Sequence, residues 1–212
     1  SRVLRDPSAW YHLVFVWDTT NTIASERIRI YINGQRETDF STSNNPSASA
    51  NAGIGQAQKH SIGYQSRAVG SGYADAYMAE LVYIDGTALD PSSFGEYNSS
   101  NIWIPKDVSG LTFGTNGFHI DGRDSADLGD DESGNGNDFT TSGLASNDQV
   151  SDSPTNNFAI YNVIDNFTQG ATFSNGNLER TRSGSNRSAT MSNVGMTSGK
   201  WYCEIYIASH FQ

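Results

Sequence analysis

Residues Arg27-Ile28-Arg29-Ile30-Tyr31-Ile32 alternate polar and apolar and run straight into Asn33-Gly34. Strand side chains repeat every two residues, so Arg27, Arg29 and Tyr31 are expected on a wet face and Ile28, Ile30 and Ile32 on a dry one. Asn-Gly suits the type I′ turn, which needs positive φ at both central residues, so the chain is predicted to return over residues 35–40. An antiparallel hairpin with one buried face requires further strands to cover it.

Further strands are available, and helices are not. Ser, Asn, Gly and Thr make up about two-fifths of the 212 residues, and there are only three lysines, Lys59, Lys106 and Lys200, a poor composition for long helices. No apolar run approaches the roughly 20 residues that span a bilayer. Residues 10–17, Trp-Tyr-His-Leu-Val-Phe-Val-Trp, are rich in aromatic and β-branched side chains and predict a strand. Residues 41–58 hold almost nothing to bury and predict a long surface loop. Short strands are expected at 60–64 and 117–120, and a longer one over 73–84 ended by Asp85-Gly86. Around Leu89-Asp90-Pro91-Ser92-Ser93-Phe94-Gly95, Asp90 reads as the cap and Pro91 as the first residue of a single helical turn. Residues 198–207 alternate again as a strand.

The net charge of −10 is concentrated. Residues 121–152 carry nine acids and the single base Arg123. A phosphate-tracking surface needs clustered Lys and Arg, so nucleic acid is not an expected partner. Cys203 is the only cysteine, which excludes an intrachain disulfide and leaves the compartment open; its simplest role is a core thiol. Ser1 to Pro7 lack the apolar core of a secretory signal.

Several blocks carry a family resemblance. Asp6-Pro7-Ser8-Ala9-Trp10-Tyr11-His12-Leu13-Val14, Arg29-Ile30-Tyr31-Ile32-Asn33-Gly34, Ile62-Gly63, Tyr77-Met78-Ala79-Glu80-Leu81 and Ala88-Leu89 together resemble the second half of a laminin-G-like, concanavalin-A-like jelly roll. Four further blocks resemble virion proteins of tailed bacteriophages: residues 83–95, Phe113 to Phe118, residues 127–139 and residues 152–158. The likeness covers roughly residues 3–160. Around Leu178 to Arg180 and over 198–205 the chain resembles the opening of a SPRY-like sandwich.

The resemblance implies an all-β chain: an antiparallel β-sandwich of jelly-roll type over 1–110, an acidic Gly/Asn-rich connector over 111–160, and the first strands of a second β-sandwich over 161–212. Both ends then look cut, and the chain is expected to be the middle of a longer polypeptide. The implied function is non-catalytic: a tail-fibre, tail-associated or capsid-surface protein on the virion surface. Its partners would be other virion proteins, copies of itself, and a host surface glycan. A bacterial secreted or cell-surface lectin-like module and a jelly-roll glycan hydrolase are the alternatives.

Three groups of residues could carry chemistry. Asp131, Ser133, Asn135 and Asn137 place oxygens at alternate positions among glycines, as a loop for a hard cation such as Ca²⁺ would, and concanavalin-A-like folds often hold a cation near their loops. Ser142 stands where an EF-hand needs a bidentate Glu, so this is no EF-hand; otherwise Gly and Asn simply take left-handed turn positions. Tyr64, Tyr73, Tyr97 and Trp103 lie near predicted loops, where rings could stack on sugars, or they fill cores and cover sheet edges. Glu80 and Asp85 are the only pair offered for hydrolysis, and a five-residue offset turns them to opposite faces of a strand. His12, His60, His119 and His210 show no ligand spacing.

Overall fold

The computed structural model describes residues 4, 9–65, 72–74, 76–150, 152–156, 158–166, 170–182, 189–192, 194–195 and 198–208. The Asp6-Pro7-Ser8 start of the first block, Asp75 within the expected 73–84 strand, and His210 lie outside them. Among the described residues the regular structure is strand, apart from three-residue 3-10 turns at Ala24–Glu26, Pro91–Ser93 and Ser146–Asp148. The all-β expectation is met at this level, and every strand pairing is antiparallel. No helix among the described residues is long and apolar enough to cross a membrane. The chain divides into two compact units, Ser1–Asn157 and Phe158–Gln212.

In the first unit, β1 (Leu13–Trp17), β2 (Ile28–Ile32) and β3 (Gln35–Arg36) form one sheet in that order. Asn33 (φ 49°) and Gly34 (φ 75°) make the anticipated turn with both central residues left-handed. Asn33 also reaches across the sheet end, accepting the His12 N–H on Oδ1 at 2.8 Å and donating its own N–H to the His12 carbonyl at 2.9 Å. The ladder begins at Leu13 rather than Trp10. It stops at Arg36 rather than Phe40, with one further bond from Glu37 N–H to Ile30 O.

The expected wet and dry faces need correction. Leu13, Phe15 and Trp17 pair with Ile32, Ile30 and Ile28, and directly opposed residues share a face. On that all-apolar face Leu13 is 61% and Phe15 58% exposed. Val14 and Val16, opposite Tyr31 and Arg29, are the buried pair. The cause is what lies against the other side: Arg29 Nη1 is 3.9 Å from Asp90 Oδ1, and Tyr31 lines a depression with Pro91 and Trp103. Elements far along the chain decide which face is covered.

The remaining strands of this unit are short: β4 (Tyr64–Gln65) with β5 (Gly72–Tyr73), β6 (Leu81–Tyr83) with β9 (Phe118–Ile120), and β7 (Gly95–Tyr97) with β8 (Trp103–Pro105). Residues 60–64 contribute only Tyr64 to a ladder. The strand expected over 73–84 is two separate pieces, and Glu80, at φ 54°, interrupts it just before β6. Residues 41–58 are irregular as anticipated, yet tethered: Thr19 Oγ1 donates to Ala50 O at 2.9 Å and Arg27 Nη1 to Pro46 O at 2.9 Å. Pro91 opens a 3-10 turn, but the Asp90 side chain makes no capping bond. The acidic segment from 111 onward packs as part of this unit up to Asn157, with Val108, Phe113 and Ile120 in its apolar core.

The second unit pairs β10 (Tyr161–Asn166) with β13 (Thr190–Ser192) and β11 (Ala171–Ser174) with β12 (Glu179–Arg182). Asn175 and Asn177, both at positive φ, turn β11 into β12. The strand expected over 198–207 does not form. Its apolar residues, from Trp201 to Ile207, are exposed, and so is Cys203, which corrects its reading as a core thiol. Alternation alone does not make a strand, and no ladder partner for this segment occurs among the described residues.

Candidate functional site

Trp103 opens β8, and its register partner is Tyr97 in β7. The two rings meet edge to face, 5.0 Å apart at 76°. Gly34 and Gly95 let the indole settle against backbone, since a Cβ at either position would collide with it. The indole N–H is spent on His12 Nδ1 at 2.9 Å, with the two rings stacked at 5.8 Å. The Tyr97 hydroxyl donates to Asn33 O at 3.2 Å, which fixes the ring while leaving the residue 45% exposed.

These rings line a shallow depression of about 570 Å³ together with Tyr31, Asp90, Ser92 and Lys106. Its charged groups are Asp90 and Lys106, which meet the Pro91–Ser93 turn, and Glu96 in β7. The Asp90 side chain is 70% exposed, and Lys106 Nζ donates to Ser92 O at 3.2 Å. The floor is thus aromatic, and the polar lining offers the Asp90 and Glu96 carboxylates as acceptors and the Lys106 ammonium as a donor. Such a surface fits a ligand with one apolar face and hydroxyls around its edge.

The four aromatic residues singled out in the sequence therefore fall into two pairs. Tyr64 and Tyr73 are cross-strand partners between β4 and β5, with ring centroids 5.0 Å apart. They line a second hollow of about 480 Å³ with Met78. Asp90, Lys106 and Tyr31 are the polar complement that sequence reasoning misses. Nothing local marks them, because the β7–β8 hairpin and the turn before it bring them together.

The expected cation ligands are engaged otherwise. Asp131 is buried at 8% exposure. Its Oδ1 accepts the N–H groups of His119 (2.8 Å) and Ser133 (3.0 Å), and its Oδ2 accepts Asn137 N–H (2.9 Å) and Ser133 Oγ (2.8 Å). Asn135 Nδ2 donates to the carbonyls of Gly114 and Gly117, and Asn137 Nδ2 to those of Thr115 and Gly117. Desolvation is the largest influence on Asp131 and raises its pKa; the hydrogen bonds together outweigh it and hold the carboxyl below the usual carboxylate value. With two donors on each oxygen, the carboxylate serves as a staple between residues 131–137 and β9. That arrangement does not fit a cation loop. No cluster of three or more His, Cys, Asp or Glu that could hold a metal occurs among the described residues.

Glu80 and Asp85 go separate ways. Glu80 Oε2 meets Nε2 of buried His119 at 2.7 Å, and Oε1 meets Arg123 Nη2 at 3.3 Å. Asp85 Oδ2 accepts Asn116 N–H and Nδ2, closing the 113–117 turn. Comparison with known protein families, curated proteins and solved structures gave no match to this chain.

Proposed function

We propose that the chain is a non-catalytic attachment protein of a tailed-bacteriophage particle, with a jelly-roll, lectin-like domain that holds host surface glycans. The observation that carries the glycan part is the Tyr97–Trp103 pair on the floor of a depression rimmed by Asp90 and Lys106. A pyranose ring has an apolar face that stacks on an aromatic ring and hydroxyls that need both acceptors and donors at its edge. The antiparallel pairing throughout supports a sandwich of the jelly-roll kind, and the four bacteriophage-like sequence blocks support the virion setting. Neighbouring virion subunits are the second class of partner the resemblance implies.

The non-catalytic reading is supported by where the carboxylates go. Hydrolysis of a glycosidic bond uses two carboxyl groups about 5–10 Å apart across a cleft, one protonated and one free. Here Glu80 is gripped by an imidazole and a guanidinium, and Asp85 closes a turn.

Two measurements test the proposal. Antibody against the chain should label purified particles, and labelled chain should be retained by immobilised host polysaccharide without shortening it. Retention that survives Tyr97→Ala unchanged would remove the depression from the proposal, and loss of polysaccharide chain length would revive the hydrolase.

A further inference from the structure

We infer that the Tyr97–Trp103 depression selects uncharged pyranosides, neutral hexoses and N-acetylhexosamines, and rejects sugars bearing a carboxylate. This rests on the glycan reading of the depression and adds its selectivity. The Trp103 N–H and the Tyr97 O–H are both donated inside the protein, so these two rings offer a ligand π surface and the acceptor lone pairs of the Tyr97 hydroxyl but no proton donor. Charged recognition falls to Asp90, Glu96 and Lys106.

The Asp90 carboxylate stands mostly in solvent. Its nearest cation, Arg29 Nη1, is 3.9 Å away, beyond hydrogen-bond distance and itself largely covered, with a side chain only 17% exposed. Asp90 therefore keeps acceptor capacity for ligand hydroxyls. Lys106 spends one N–H on Ser92 O and keeps two. Ligand hydroxyls, which both donate and accept, can satisfy either side. A sialic or uronic acid carboxylate has Lys106 as its one cationic partner among the lining residues and sets a further negative charge against Asp90, which costs affinity. Glu96, exposed in β7 and also bordering the depression, adds to the same repulsion, so the lining carries two acids against one base.

The test is retention of the labelled full chain on a panel of immobilised oligosaccharides with neutral, N-acetylated, sialylated and uronate members. Neutral or N-acetylated members should be retained, acidic ones not. Tyr97→Ala and Asp90→Asn should each weaken retention by about tenfold, the order expected for one aromatic stack or one charged hydrogen bond. Tyr97→Phe should keep it, since the ring remains. Asp90→Lys should turn preference toward the acidic members. Acidic members retained by the wild type and lost in Tyr97→Ala would overturn the selectivity and leave the depression as a glycan site. No retention of any member, or retention indifferent to both Tyr97→Ala and Asp90→Asn, would overturn the glycan reading and this inference with it.

Discussion

Trp103 donates its indole N–H to Nδ1 of His12 at 2.9 Å, across 91 positions of chain. An accepting Nδ1 leaves the proton of a neutral ring on Nε2, so protonating His12 would set two N–H groups against each other. Burial already holds the His12 pKa below the ordinary imidazole value. A depressed folded-state value means that the unfolded chain takes up the proton first, at about pH 6.5. Stability is therefore fully present above that pH and is lost as pH falls through the lower folded value. Thermal unfolding should show a Tm that is flat above about pH 7 and declines below about pH 6.5. His12→Gln, whose side-chain oxygen can still accept the indole N–H, should flatten that part of the decline. An identical pH profile in the variant would remove His12 as its source.

Glu80 sits at φ 54°, where a residue other than Gly, Asn or Asp is strained, and from there its carboxylate spans His119 and Arg123. Side-chain contact and backbone strain therefore oppose each other at one position. Glu80→Ala loses the contact and keeps the strain, whereas Glu80→Gly loses the contact and relieves the strain. In denaturant titrations Ala should destabilise by about 3 kcal/mol and Gly by about 1 kcal/mol less. This reverses the usual order, in which Gly is the more damaging replacement. Equal losses would mean that the left-handed backbone carries no cost here.

Local demands are legible in the sequence, and remote ones are not. The Asn33-Gly34 turn can be read because positive φ at two successive residues is a property of those residues alone. The break at Glu80 cannot, because the group that rewards it, His119, lies 39 positions away. The alternation of residues 27–32 correctly implies two distinct faces. Which face is buried depends on the Pro91–Ser93 turn and the β7–β8 hairpin, and no strand carries that information within itself. Tyr97 and Trp103 stand out as loop-adjacent aromatics, whereas Asp90 and Lys106 acquire meaning only once the hairpin has closed. Residues 131–137 carry two readings for a physical reason: alternate oxygen-bearing side chains serve equally well to accept peptide N–H groups and to bind a cation, and the geometry at Asp131 shows the first use.

That distinction can be measured at Asp131. Both carboxylate oxygens already accept two hydrogen bonds, so millimolar Ca²⁺ should leave the Tm of the wild type unchanged. Asp131→Ala leaves the peptide N–H groups of His119, Ser133 and Asn137 without their acceptor. It should cost about 3 kcal/mol with or without Ca²⁺. Because the carboxyl is held below its usual pKa, its stabilisation is complete above about pH 4 and drains away as pH falls through the folded value. A calcium-dependent rise in Tm that Asp131→Ala abolishes would show that the staple opens to bind a cation.

Gly95 offers the cleanest view of how closely the aromatic floor is fitted. Its φ lies outside the left-handed region, so any penalty for adding a side chain is steric alone. A Cβ there would stand 2.6 Å from Cε2, Cζ2 and Nε1 of Trp103. The indole cannot easily retreat, because Gly34 brings backbone against its other edge and His12 holds its N–H. Gly95→Ala should therefore destabilise by about 1–3 kcal/mol, the usual cost of overpacking. In a Trp103→Leu background the added methyl has room and the cost should fall toward zero, so the two substitutions are non-additive by about the same amount. Equilibrium denaturation of the four chains of that cycle measures the coupling directly. Strict additivity would mean that Trp103 moves aside freely, and a floor that moves freely could not orient a sugar ring.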